Sequence, residues 1–402
     1  MNLRSYFHLK KDSFSIDPRD DAEQYFGGSK LDERIRDRIE TDFVQQRQIP
    51  KFCLYGPFGV GKTHTLHHVE YQLRTSISDD YPSEPIMLDL SPIRSKERWS
   101  KVHSDLINAI GLGRIKKAVH NLLGDPEASQ DPLDFLTKHG VLKYGEVAIK
   151  SSQAKVFRAL AFGGPMEAAA LHWLKGGSVS KANAETLEIE TELTEVSHLV
   201  ACLLNVAALL RAGLGRRPVL LIDEAEALRS LSNADSLNEF ITAFRKLAED
   251  ENNVLGLIVA FQVEGGMEDA PEVLVSPAVF RRFGYAAAFI DLQEAIAEIE
   301  SVRTFIQQVL EYLVDQDGAR ATIESEDLPT EPEFFPFTPE AVDRLAEFII
   351  DEQPENQVPS QIIGRMSDAI VAAWRRGRDE PAKRQLIDED AIEAALYAGQ
   401  GQ

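Results

Sequence analysis

Two short stretches combine residue types and spacing suited to phosphate chemistry. The first, Gly56-Pro57-Phe58-Gly59-Val60-Gly61-Lys62-Thr63, fits the pattern G-x-x-x-x-G-K-[ST]. Its glycines let backbone N–H groups close around phosphate oxygens, Lys62 would neutralise the β- and γ-phosphates, and the Thr63 hydroxyl would ligate Mg²⁺. These residues, with His64 directly after them, are the expected contacts for ATP and Mg²⁺. The second stretch, Pro218-Val219-Leu220-Leu221-Ile222-Asp223-Glu224, is an apolar run ending in two acids. A strand buried on both faces must be apolar throughout, so adjacent carboxylates at its end are unfavourable unless a cation or a reaction uses them. Asp223 is expected to hold Mg²⁺, directly or through water, and Glu224 to orient and polarise an attacking water. Lys62 and Glu224 are therefore the first catalytic candidates.

Other residues suggest weaker chemistry. His64 and His68 stand one helical turn apart and could chelate a metal, but no third ligand accompanies them. Cys53 and Cys202 lie in apolar segments without CxxC or Cys/His spacing and read as buried thiols. Arg94, Lys96, Arg98, Lys101, Arg114, Lys116 and Lys117, with Trp99 among them, could track a phosphate backbone. A solvated helical face, diluted by Glu97 and Asp105, explains the same run.

The elements that must position these residues follow from periodicity. Lys51 to Tyr55 is a short apolar run stopped by Gly-Pro, and the stretch after Lys62 keeps Leu66, Val69 and Leu73 on one side. That is strand, loop, helix. Leu31 to Val44 precedes it as a helix, with Leu31, Ile35, Ile39 and Phe43 four apart. Further strands are expected at Ile86 to Leu90, Val219 to Ile222, Val254 to Ala260 and Ala286 to Ile290, separated by helical segments. Strands alternating with helices imply a parallel sheet covered on both faces.

Two strand-helix-strand steps should take about 60 residues, whereas 161 separate Lys62 from Asp223. An insertion is expected at about 113–183, broken by Gly163-Gly164-Pro165 and Gly176-Gly177. After Ile290 the chain reads as helices: a stripe from Ile296 to Leu313, a helix capped by Thr338-Pro339, a face from Ile362 to Trp374, and a last short helix, Ile387 to Tyr397. Residues 1–25 read as an N-terminal arm, and the acidic, proline-rich Glu324 to Pro339 as a flexible connector.

Composition bounds the function. At 402 residues the chain suggests two or three structural units. The longest uncharged apolar run, Leu199 to Leu210, falls short of the roughly 20 residues a membrane span needs. With no secretory pattern at the N-terminus, a cytoplasmic protein without a membrane partner is expected. The net charge of −22 opposes diffuse adhesion to nucleic acid. Residues 91–181 depart from that balance, with 14 Lys+Arg against 8 Asp+Glu, a net of +6 that leaves −28 elsewhere. DNA contact, if made, is expected there.

With Gly56 to Thr63 as Walker A, Val219 to Glu224 as Walker B and helices after them, the chain resembles the AAA+ ATPases. Tyr25-Phe26-Gly27-Gly28 leading a helix into the loop, and Phe280-Arg281-Arg282-Phe283-Gly284 late in the core, make it most similar to the origin-recognition/initiator, STAND-like branch. The resemblance implies an α/β P-loop NTPase with a parallel sheet flanked by helices and an all-helical C-terminal lid. Its divisions would be 1–25 as arm, 26–292 as nucleotide-binding core with the insertion, and 293–402 as lid. It also implies homo-oligomers with ATP between neighbours. By position, Gln262 corresponds to the polar sensor 1, although Asn, Thr or Ser is commoner there. Arg281 or Arg282 corresponds to the arginine finger, and Arg365 to the sensor 2 arginine; each also reads as an ordinary surface residue. Two functions follow: an oligomeric ATPase that remodels or loads a DNA or protein–DNA partner in a multi-protein bacterial system, or a slow nucleotide switch regulating a protein partner without touching DNA.

Overall fold

Apolar runs bounded by glycine and proline become five strands, and nearly everything between them becomes helix. The structure, a computed structural model, describes residues 2–26, 29–45, 48–75, 81–124, 130–352, 357–379 and 386–397. Gly27 and Gly28 of the Tyr25-Phe26-Gly27-Gly28 signature lie outside those residues. In chain order the first elements are α1 (Leu3–Tyr6), α2 (Ser29–Glu40), β1 (Lys51–Gly56), α3 (Lys62–Arg74) and β2 (Ser83–Asp89). There follow α4 (Trp99–Ile110), α5 (Leu112–Leu123), α6 (Pro132–Lys138), α7 (Val147–Phe162), α8 (Glu167–Leu174), α9 (Lys181–Leu187) and α10 (Val196–Leu214). Then come β3 (Arg217–Asp223), α11 (Ala234–Ala248), β4 (Gly256–Gln262), α12 (Glu272–Val275), α13 (Pro277–Phe283) and β5 (Phe289–Asp291). The chain closes with α14 (Ile299–Leu313), α15 (Gln316–Glu326), α16 (Pro339–Glu347), α17 (Pro359–Asp379) and α18 (Glu389–Tyr397).

The chain divides into two compact units. One comprises Met1–Arg36, Gly56–His68 and Asp291–Gln402; the other comprises Asp37–Tyr55 and Val69–Ile290. The second holds the sheet, apart from the strand-final residues Gly56 and Asp291. It is a five-stranded parallel sheet in the order β2-β3-β4-β1-β5, so every connection between sequential strands crosses over through helix. β2 runs beside β3 with Ser83 opposite Arg217 and Asp89 opposite Asp223. β3 pairs β4 from Val219↔Gly256 to Ile222↔Val259. From Val219 to Ile222 the strand is fully buried, as its unbroken apolar sequence requires.

Within the second unit, the described residues of 113–183 lie mostly in helices α5 to α9, and α10 packs on α4, α5, α7, α11 and β3. Among the described residues α10 is the one helix long and apolar enough to cross a membrane, and its residues Leu199 to Leu210 are all buried in this unit. Cys53 and Cys202 are buried free thiols. β5 starts at Phe289 rather than at Ala286. Gly284 (φ +108) and Tyr285 (φ +62) sit in the left-handed region, and Tyr285–Ala288 coil into a 3-10 turn before the chain extends.

The first unit is helical around one apolar core. Tyr6, Phe7, Leu9 and Phe14, from the stretch read as an arm, are buried in that core with residues of α14, α16, α17 and α18. Thr338 caps α16 by accepting the Ala341 N–H at 3.2 Å, with Pro339 at its first position. Glu324 to Pro339 is no flexible connector. Phe334, Phe335 and Phe337 are buried, and Ile387 donates its N–H to Pro336 O at 2.9 Å while Thr338 donates to Ile387 O at 3.0 Å. Three aromatics in four residues outweigh the acidic, proline-rich composition that suggested disorder.

Candidate functional site

The phosphate-loop pattern occupies the turn between β1, which ends on Gly56, and α3, which opens on Lys62. Gly59 (φ +81) and Gly61 (φ +98) take left-handed conformations that a side chain would strain. At Gly61 a Cβ would meet nothing within 4 Å, so glycine serves the backbone path there and leaves that face of the loop open. At Gly56 a Cβ would lie 2.9 Å from Val60 Cγ1, so the loop closes tightly on its own start. Lys62 is buried, and its Nζ donates to the carbonyls of Pro57 at 3.0 Å and Gly56 at 3.3 Å. Thr65 locks the junction with α3, its N–H and hydroxyl donating to Gly61 O at 2.8 and 3.0 Å. Thr63 and His64 are half-buried on the first turn, and Phe58 at the loop's tip is 72% exposed. A glycine-closed main-chain loop, a buried ammonium and a hydroxyl on one turn fit a nucleotide phosphate and its magnesium.

In the other unit, β3 ends on Asp223, which is buried and accepts the Glu224 N–H at 2.9 Å. The register sets Asp223 opposite Asp89, and Leu90 N–H donates to Asp223 O at 3.0 Å. Glu224 stands at φ +56, ψ 34, a left-handed conformation rare for a residue with a side chain. Loss of hydration, then the charges of Glu226, Asp223 and Asp89, push its carboxyl up to about 7. The four carboxylates repel one another, and a cation would relieve them. Among the described residues no three or more His, Cys, Asp or Glu side chains form a ready-made metal cage. A cation beside Asp223 would need hydroxyl, phosphate or water oxygens as well, the shell Mg²⁺ prefers.

Gln262 ends β4 and is tied to the same acidic turn. Its N–H donates to Glu226 Oε2 at 3.0 Å, and its side-chain amide donates to Glu264. On α13, Arg282 pairs with Glu249 at 2.9 Å. Arg281 is exposed, with no ion pair among the described residues. In the first unit, Arg365 lies half-buried on the second turn of α17 between the buried Ile362 and Met366, with no side-chain partner among the described residues.

The histidines after the loop serve the N-terminal segment. His64 Nε2 bonds to Gln24 O at 2.8 Å; His68 bonds to Ala22 O at 2.8 Å and to Asp32 at 3.2 Å. The Tyr25 ring lies 6.4 Å from His64 and 5.0 Å from His68. In the basic segment, Arg98 pairs with Glu239, Lys101 with Asp105 at 2.8 Å, Arg114 with Glu84 at 2.9 Å and Lys116 with Glu167 at 3.0 Å. Trp99 is no stacking platform. It is fully buried, edge-on to Phe240 and Phe244 at 5.5 and 5.9 Å.

Two residues of consequence escape a reading by motif. Asp89 joins the acidic edge only through the strand register, and Ser360 contacts Gly59 across 301 positions of sequence.

No family model matches the chain, and no curated protein matches it. Two similar solved structures are both from Aeropyrum pernix. One is the ORC1 protein in complex with DNA, 13% identical, with 94% of this chain and 67% of that one covered at a TM-score of 0.48. The other is the ORC2 protein as ADPNP–ADP complexes, 12% identical, with 91% and 66% covered at a TM-score of 0.45. This chain thus spans about two thirds of the length of each.

Proposed function

We propose that the chain binds ATP with Mg²⁺ through Gly56 to Thr63 and hydrolyses it, Thr63 and Asp223 facing the metal and Glu224 orienting the attacking water. The observation that carries this reading is the placement of both motifs at strand ends of one parallel sheet. The loop leaves β1 at Gly56, and the acids end β3. In open α/β sheets, ligands bind beyond the carboxyl ends of the strands. Mg²⁺, when bound, supplies positive charge to the phosphoryl oxygens. The chain's own contribution is the amide cradle, the Lys62 ammonium and the Glu224 carboxylate that orients and polarises the attacking water. Gln262 and Arg365 stand as sensors, and one of Arg281 and Arg282 as the arginine finger of a neighbouring copy, each by resemblance. The divisions at 26–292, with the insertion at about 113–183, and 293–402 belong to the same reading.

By that resemblance the chain forms homo-oligomers that use ATP to remodel or load a DNA or protein–DNA partner in a multi-protein system. The pairing of four of the seven named cations with carboxylates favours a second reading, a nucleotide switch acting on a protein partner without DNA. Calorimetry tests the first step: the wild type is expected to bind ATP with Mg²⁺ and Lys62→Ala to bind none. Equal affinity in the two proteins would remove the basis for an ATPase.

A further inference from the structure

α17 is seated at both ends by approaches that glycine makes possible. At the first, Ser360 N–H donates to the carbonyl of Gly59 in the phosphate loop at 3.2 Å. Pro359 opens the helix, so Ser360 supplies its first N–H, a donor without a partner inside the helix. The loop supplies that partner. The approach is close: a Cβ on Gly59 would lie 2.0 Å from Ser360 Oγ and 3.5 Å from Val358 Cγ2. At the far end, a Cβ on Gly377 would lie 2.1 Å from the hydroxyl oxygen of Tyr6, the last residue of α1. Between these ends Ile362, Met366, Ala369, Ile370 and Ala373 are buried in the core of the same unit. The helix has 21 residues, which at 1.5 Å per residue span about 30 Å.

The Gly59 carbonyl shares one rigid peptide plane with the Val60 N–H. That N–H has only a long 3.4 Å bond to Pro57 O, so a phosphate oxygen can draw it away. Turning the N–H toward phosphate turns the Gly59 carbonyl with it, and the carbonyl holds the end of α17. We propose that Ser360 is a positioning residue for the phosphate loop and that α17 is a rod carrying the loop's state to α1. The proposal rests on the ATP-binding reading above and adds to it a mechanical output at the N-terminal segment.

The test uses the full chain, a non-hydrolysable ATP analogue with Mg²⁺, and two variants. Ser360→Ala keeps the N–H and removes the close hydroxyl; Ser360→Leu drives a larger side chain against Gly59. The alanine variant is expected to bind the analogue as the wild type does. The leucine variant should bind about ten-fold more weakly, the equivalent of 1.4 kcal/mol, with a raised KM at unchanged kcat. In the wild type, the analogue should slow hydrogen exchange at the Tyr6 and Phe7 amides, which donate to the Asn2 and Leu3 carbonyls. Ser360→Leu should lose that response. Wild-type affinity in Ser360→Leu overturns the proposal. So does a wild-type protein that binds the analogue without any change in exchange at α1, a result that needs no variant to fold. A wild-type chain that does not bind the analogue would instead end the ATP-binding reading itself.

Discussion

Asp223 accepts the backbone N–H of Glu224 at 2.9 Å, and the residue it holds stands in a left-handed conformation at φ +56. Strain of this kind costs on the order of 1 kcal/mol and persists where the surrounding structure imposes it, often at functional sites.

Glu224 therefore carries two predictions, one on turnover and one on stability. Glu224→Gln should keep ATP binding and lose phosphate release, because the carboxylate that positions water is gone. Glu224→Gly should also lose turnover, yet unfold later in denaturant by about 1 kcal/mol, since glycine adopts the conformation without strain. Near-wild-type phosphate release from either variant would remove Glu224 from the catalytic role.

Arg281 and Arg282, adjacent in sequence, should separate in function. Arg282 is paired with Glu249 inside its own unit, whereas Arg281 has no ion pair among the described residues. Arg281→Ala is expected to lower turnover by a factor on the order of 10³, the scale of a lost finger. Arg282→Ala should lose at most about 1 kcal/mol of stability, as partly exposed pairs do. Turnover measured in mixtures of Arg281→Ala with Lys62→Ala checks whether the arginine acts on a neighbour: mixed samples should regain activity that neither variant has alone.

His103 makes stability depend on pH. It is fully buried, its Nε2 meets Leu174 O at 2.9 Å, and burial pushes its pKa down from 6.5 to about 4. The unfolded chain takes up the proton first as pH falls, so this contribution is intact above about pH 6.5 and is lost between there and about pH 4, at roughly 1.4 kcal/mol per pH unit and about 3 kcal/mol in all. Denaturant titrations at intervals from pH 7 to 4 should show a shallower fall for His103→Gln than for the wild type. Parallel curves would show that His103 does not titrate differently in the two states.

DNA binding, if the seven cations from Arg94 to Lys117 provide it, should depend only weakly on salt. Arg98, Lys101, Arg114 and Lys116 are already paired with carboxylates, while Arg94, Lys96 and Lys117 are exposed. Each phosphate neutralised adds about 0.9 to the slope of log affinity against log salt, so a slope of about 3 is expected from those three cations. A slope several times steeper would locate the contact on other cations.

The sequence alone determined the features that depend on neighbours along the chain. The strand ending at Gly56, the loop with two left-handed glycines, the buried run from Val219 to Ile222 and the helix cap at Thr338 are each written in a few consecutive residues, because backbone reach and side-chain period act locally. The tertiary structure decided what depends on distant partners. Asp89 reaches the acidic edge by strand register, Trp99 is buried by Phe240 and Phe244 of α11, and cations that look free in sequence are neutralised by Glu84, Glu167 and Glu239. Phe334 to Phe337 pack where composition suggested a loose connector, and Ser360 meets Gly59. Charge and composition describe a segment in isolation, whereas pairing and burial are properties of what folds against it.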